Sequence, residues 1–183
     1  MVGWIFLAGL VLLALWAVMI YNGLIRLRNQ MRNAWSQIDV QLKRRHDLIP
    51  NLVNTVKGYM QHERTTLENV TKARQQAVDA KGIMEQAKAE NFLSQTLRSL
   101  FAVVENYPDL KANRNFLELQ EEVTSTENRI SFARQFYNDT TQNMNNRIEQ
   151  APSNIVARMF NFQRGEFFQL DEAGERVAPK VEF

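Results

Sequence analysis

The hydrophobic pattern along this chain changes character once, near residue 22. From Trp4 to Ile20 the side chains are apolar almost without a break, and residues 1–25 carry no charged side chain. A helix rises about 1.5 Å per residue and a bilayer hydrocarbon core is about 30 Å thick, so roughly 20 apolar residues span it. Val2 to Tyr21 supply that length. The pattern predicts one membrane-spanning helix that includes Trp4, Leu7, Leu10, Leu13, Trp16 and Ile20. Trp4 and Tyr21 lie near its two ends, where amphipathic rings favour the interface. The competing reading is a cleaved signal peptide, which needs a basic n-region, a shorter apolar run and a small-x-small site. No Lys or Arg precedes this run, and Val18-Met19-Ile20-Tyr21-Asn22 offers no such site. The segment is therefore expected to remain as an anchor.

Beyond the anchor, apolar residues recur at helical spacing. Leu24, Leu27, Met31, Trp35, Ile38 and Leu42 share one face and predict a helix over 23–46 that continues the span. Asp47-Leu48-Ile49-Pro50 reads as a break, because Pro lacks an N–H and disfavours helical geometry before it. A second helix over 50–80 carries Leu52, Val53, Val56, Tyr59, Met60, Leu67 and Val70, with Glu63 and Arg74 as charged interruptions expected at solvated edges. Ala80-Lys81-Gly82 turns the chain into a third helix over 84–106, which Tyr107-Pro108-Asp109 ends. The fourth, over 113–149, repeats Phe116, Val123, Ile130, Tyr137 and Met144 every seven residues, a packing seam of the kind that supercoils against a neighbour. Pro152 stops it, and a short helix over 154–161 follows.

The expected fold is all-α. An anchor (1–22) runs on into an antiparallel bundle of about four long helices (23–152), and a Phe-rich tail (153–183) is irregular or hairpin-like. In that tail Phe167-Phe168-Gln169-Leu170 and Arg176-Val177-Ala178 flank a candidate turn. Phe167, Phe168, Val181 and Phe183 are candidate partner-binding residues, since an extended apolar end with a free carboxylate can add to a sheet edge. Burial of the same rings against the helices is the competing reading.

Charge adds an orientation. The net charge is only +2, but residues 22–64 hold eight Lys or Arg and three Asp or Glu, whereas 105–128 hold two and six. Arg26, Arg28, Arg32, Lys43, Arg44 and Arg45 follow the span, where they predict an outside amino end, a cytoplasmic domain and contact with anionic headgroups. So small an excess without interleaved aromatics argues against nucleic acid. There is no Cys, so no disulfide and no thiol nucleophile. His62-Glu63-Arg64-Thr65-Thr66 starts like a zinc-protease helix but lacks the second His, and no hydrolase or phosphate-binding motif is present. Neither a cofactor nor a metal is expected, and an enzyme is the disfavoured class.

Residues 34–59 contain Ala34-Trp35-Ser36-Gln37-Ile38-Asp39, Asp47-Leu48-Ile49-Pro50-Asn51-Leu52-Val53 and Gly58-Tyr59. Tyr107-Pro108-Asp109-Leu110, Glu127-Asn128-Arg129-Ile130, Phe132-Ala133-Arg134-Gln135-Phe136-Tyr137-Asn138 and Pro179-Lys180-Val181-Glu182-Phe183 lie further on. Together these resemble the bacterial LemA family over nearly the whole chain. The resemblance implies a single-pass protein of the bacterial inner membrane with an antiparallel helical-bundle domain and no enzymatic activity. It also carries an expectation of cooperation with membrane-embedded proteases. His46 stands where many relatives have Tyr, so no required histidine is implied there.

Two functions from different classes fit. One is a membrane-anchored scaffold or adaptor that binds other membrane proteins and a second copy of itself. The other is a membrane-organising oligomer that presses its basic face on anionic lipid.

Overall fold

The computed structural model describes residues 1–169, and the fold among them is all-helical, with six helices and no strand. They are α1 (Val2–Lys57), α2 (Arg64–Asp79), α3 (Ile83–Val104), α4 (Pro108–Lys111), α5 (Arg114–Glu149) and α6 (Ser153–Met159). The described chain divides into two compact units. The first comprises Met1–Val40 and Ile130–Phe167; the second comprises Gln41–Arg129 and, at the end of the described chain, Phe168 and Gln169.

The largest departure from the expected boundaries is α1. It does not stop at residue 46 but passes through Pro50 and ends at Lys57. Without an N–H, Pro50 cannot bond the carbonyl of His46 four residues back. Arg74 of α2 replaces the missing donor: its Nε donates to the His46 carbonyl oxygen at 2.7 Å. Arg74 is therefore half-buried and employed, not a solvated edge. The chain turns instead at Gly58–Glu63, where the amides of Tyr59 and Met60 return to the Val56 carbonyl. The expected second helix, 50–80, is correspondingly the end of α1, a turn and α2.

A double-mutant cycle measures this splice. Arg74→Met should cost about 1.5–3 kcal/mol, the worth of a charged donor to an otherwise unmatched acceptor. In a Pro50→Ala background, where the helix supplies its own N–H, the loss should fall below about 1 kcal/mol. Urea titration of the full chain in detergent reads both; equal losses in the two backgrounds would show that Arg74 does not serve the His46 carbonyl.

In the second unit, Ile49, Leu52 and Val56 of α1 meet Leu67, Val70, Ala73 and Ala77 of α2. Leu93, Leu97, Leu100 and Val104 of α3, Leu110 of α4, and Phe116 and Val123 of α5 complete that core. Gly82 precedes α3 with φ 83°, a conformation that L side chains avoid. Pro108 opens α4, where a first-turn residue needs no N–H donor. Asn113 starts α5, its Oδ1 accepting the amide of Phe116 at 3.1 Å.

In the first unit, Ile20 and Leu24 of α1, Met144 of α5, and Val156 and Ala157 of α6 form a separate core. Trp35 stacks edge-on against Tyr137, ring centres 5.4 Å apart. The expected short helix over 154–161 is α6, which ends at Met159.

Candidate functional site

The apolar start of α1 is uncovered. Trp4, Leu7, Leu10, Leu13 and Trp16 are exposed to between 38 and 77 %. Among the described residues α1 alone contains a stretch long and apolar enough to cross a membrane. Ile20, expected in the span, is 6 % exposed and belongs to the core with Met144, Val156 and Ala157. At the end of the apolar run, protein rather than lipid therefore covers it.

The basic residues after this stretch separate into three kinds. Arg26, Arg32, Lys43 and Arg44 are exposed, Arg44 lying 3.8 Å from Glu122. Arg28 is half-buried, with its guanidinium 5.4 Å from the centre of the Phe162 ring. Arg45 is 1 % exposed and cannot meet a headgroup, contrary to the expectation from its neighbours. The reason is register. With α1 continuous through Pro50, Arg45 falls in the inward stripe of Ile38, Leu42, Ile49 and Leu52.

Arg45 is the centre of a buried polar network. Its Nη2 donates to Glu90 Oε2, and its Nη1 donates to Glu127 Oε2 and to Ser94 Oγ, the last at 3.0 Å. Ser94 Oγ donates in turn to Glu127 Oε1 at 2.9 Å. The other oxygen of Glu90 lies 2.8 Å from His46 Nε2 and accepts from Gln86 Nε2, also at 2.8 Å. Burial alone would raise the Glu90 carboxyl. The His46 hydrogen bond and the charges of Arg45 and His46 outweigh it and hold the group below the usual carboxylate range.

The sign of the pH effect follows. A carboxyl with a lowered folded-state pKa adds stability that is complete above its unfolded value, about 4.3, and is lost as pH falls through the folded value. Denaturation at neutral pH and again below about pH 4 should show a smaller acid loss for Glu90→Gln than for the parent. Parallel losses would assign acid sensitivity to other groups.

The seven-residue series on α5 is buried throughout: Phe116, Val123, Ile130, Tyr137 and Met144 are each no more than 4 % exposed. Gly165 and Glu166 are held within the first unit. Asn145 accepts from the Gly165 amide at 2.8 Å and donates to the Gly165 carbonyl at 3.0 Å. The Tyr137 hydroxyl donates to the Glu166 carbonyl at 2.8 Å, and burial pushes that hydroxyl above its usual pKa. A Cβ on Gly165 would lie 2.6 Å from Met31 Sδ and 3.0 Å from Thr141 Cγ2, so any larger residue here would have to displace the end of the Met31 side chain. Phe167 is half-buried and Phe168 fully buried, so Phe168 has no surface to offer a partner. Val181, Phe183 and the greater part of the suggested hairpin lie outside the described residues.

The residues that sequence reasoning missed are polar ones in inward registers. Glu90 precedes Leu93 by three positions and Leu97 by seven, on the face that α3 buries. Asn145 adjoins Met144. Among the described residues no group of three or more His, Cys, Asp or Glu side chains could hold a metal ion.

Residues 34–183 match the LemA family. Protein LemA of Metamycoplasma hominis is 29 % identical over 160 residues, which cover 85 % of this chain and 71 % of that protein. Magnetosome protein MamQ 2 of Paramagnetospirillum magneticum is 25 % identical over 184 residues, 86 % of this chain and 68 % of its own. Magnetosome protein MamQ of Magnetospirillum gryphiswaldense is 23 % identical over 192 residues, 90 % and 71 % respectively.

Proposed function

We propose that this chain, which belongs to the LemA family, is a membrane-anchored helical adaptor that acts by holding other proteins at the membrane and not by catalysis. The supporting observation is the two-fold character of α1. Its first turns present large apolar side chains with nothing over them, while Ile49, Leu52 and Val56 of the same helix are at most 1 % exposed. A contiguous apolar surface of that size is a membrane or protein contact, not a water-facing wall. The names of the relatives specify no enzymatic activity. The proposed partners are other membrane proteins, with a membrane-embedded protease or a second copy of the chain among them.

The amino end is proposed to lie outside and the remainder in the cytoplasm, since Arg26 and Arg32 are exposed just beyond the apolar stretch. The chain has no Cys, so Lys43→Cys places a unique thiol at an exposed position. A membrane-impermeant maleimide should leave it unlabelled in intact cells and label it after permeabilisation; labelling in intact cells reverses the orientation.

Exposed Arg26, Arg32, Lys43 and Arg44 favour a second reading, a membrane-organising oligomer bound to anionic lipid. Purified chain on anionic vesicles separates the two. An adaptor leaves the vesicles undeformed and yields a stoichiometric crosslinked partner in intact cells. Dense assembly with deformation, in the absence of any other protein, sinks the adaptor reading.

A further inference from the structure

The sides of α6 are arranged unlike those of a helix on a water-soluble core. Val156 and Ala157 turn inward and join Ile20, Leu24 and Met144 in one buried cluster. The outward side is apolar as well. Ile155 and Met159, four residues apart and so on one face, are 62 and 73 % exposed, and Phe160 follows at 53 %. The Phe160 ring is 4.6 Å from that of Tyr21.

Position identifies what covers this face. Ala17 and Tyr21 pack on the same cluster as α6, and they belong to the last turns of the apolar stretch of α1. Ala17 to Leu24 occupies about 10 Å along the helix axis. α6 therefore lies against α1 where the apolar stretch gives way to polar sequence, which is the depth of a bilayer surface. Helices bound in that zone bury their apolar face about 5–10 Å into the boundary between headgroups and acyl chains. Arg158, between Ile155 and Met159, is exposed, as is Arg26 on α1. Such side chains lay their stems along apolar surface and extend their charge to headgroup phosphates.

The geometry points to α6 and Phe160 as a second attachment to the membrane, in which Ile155, Met159 and Phe160 enter the surface of a phospholipid bilayer beside the exit of α1. This rests on the membrane anchoring proposed above. Attachment at two places gives the first unit a defined face toward the lipid, which a single helix crossing the bilayer does not.

Nitroxide labels on single cysteines test it, in the full chain reconstituted into vesicles of phosphatidylcholine and phosphatidylglycerol. The positions are Ile155→Cys, Met159→Cys, Phe132→Cys and Leu10→Cys. Phe132 is 73 % exposed, like Met159. It lies further from the apolar stretch, because Met144 shares a cluster with Leu24 whereas Tyr137, nearer Phe132, stacks on Trp35. Oxygen concentrates in lipid and a charged nickel chelate stays in water. The ratio of oxygen to nickel collisions at positions 155 and 159 should be several-fold above that at 132 and approach that at 10. Ratios at 155 and 159 equal to that at 132, with 10 still lipid-like, overturn the attachment and leave the anchor standing. A water-like ratio at 10 overturns both.

Discussion

Replacing Arg45 with methionine should lower the unfolding free energy by about 3–5 kcal/mol, because it leaves a buried carboxylate without its cation. Glu90 is 1 % exposed and accepts a hydrogen bond from the Arg45 guanidinium directly. Glu127 and Ser94 would lose the same guanidinium. Lys43→Met, two residues away and exposed, should change stability by under about 0.5 kcal/mol. Urea midpoints of the two variants in detergent make the comparison; equal midpoints would mean that the network contributes nothing to the fold. A second variant separates charge from shape. Adding Glu90→Leu to Arg45→Met removes both members of the fully buried pair, and apolar replacement of a whole buried pair is often neutral or stabilising. The double variant should therefore be more stable than Arg45→Met alone.

Phe168→Ala should cost about 3–5 kcal/mol, the usual loss for truncating a buried aromatic ring. The ring is 0 % exposed at the end of a segment tied down by the Asn145 and Tyr137 hydrogen bonds. Phe160→Ala, with its ring 53 % exposed in the same stretch of chain, should change the thermal midpoint in detergent little. A Phe168→Ala midpoint equal to that of the parent would restore the segment to the role of a free binding arm. Deletion of residues 165–183 removes this buried ring and should for the same reason destabilise the fold.

The outcome at Phe168 shows where sequence periodicity stops being informative. The α5 series is legible because one face of a long helix repeats, and each seventh residue meets the same environment. Residues 163–168 have no regular secondary structure and hence no period. Their placement depends on Asn145 and Tyr137, some 20 and 29 residues earlier. Arg45 failed for a different reason. Its place after Ile38 and Leu42 is visible in the sequence, but the continuation of that stripe to Ile49 and Leu52, which marks it as inward, needs a helix that passes Pro50. Local rules stop the helix there, and the donor that lets it pass is Arg74, on another helix. Once the helix is broken at Pro50, Arg45 sits at a frayed end beside Lys43 and Arg44 and reads as one more surface charge. Glu90 lay in an inward register of α3 and had the same kind of signal, a charge where the stripe calls for an apolar residue. The anchor was legible because it is long, continuous and uncharged. Its inner end was not, since what covers Ile20 is α6, more than 130 residues further along the chain.

The Pro50 splice also constrains the order of folding. A helix ordinarily extends one residue at a time, each new turn closing a bond to the turn before. At His46 that bond has no local donor, and the donor that serves lies 28 residues away. The turns from Pro50 to Lys57 therefore cannot gain full stability by growth from the amino-terminal side alone. The Arg74 bond ties them to α2, so the two pieces are expected to open together in hydrogen exchange. A proline that would end a helix in isolation makes the last turns of α1 report on whether α2 is in place.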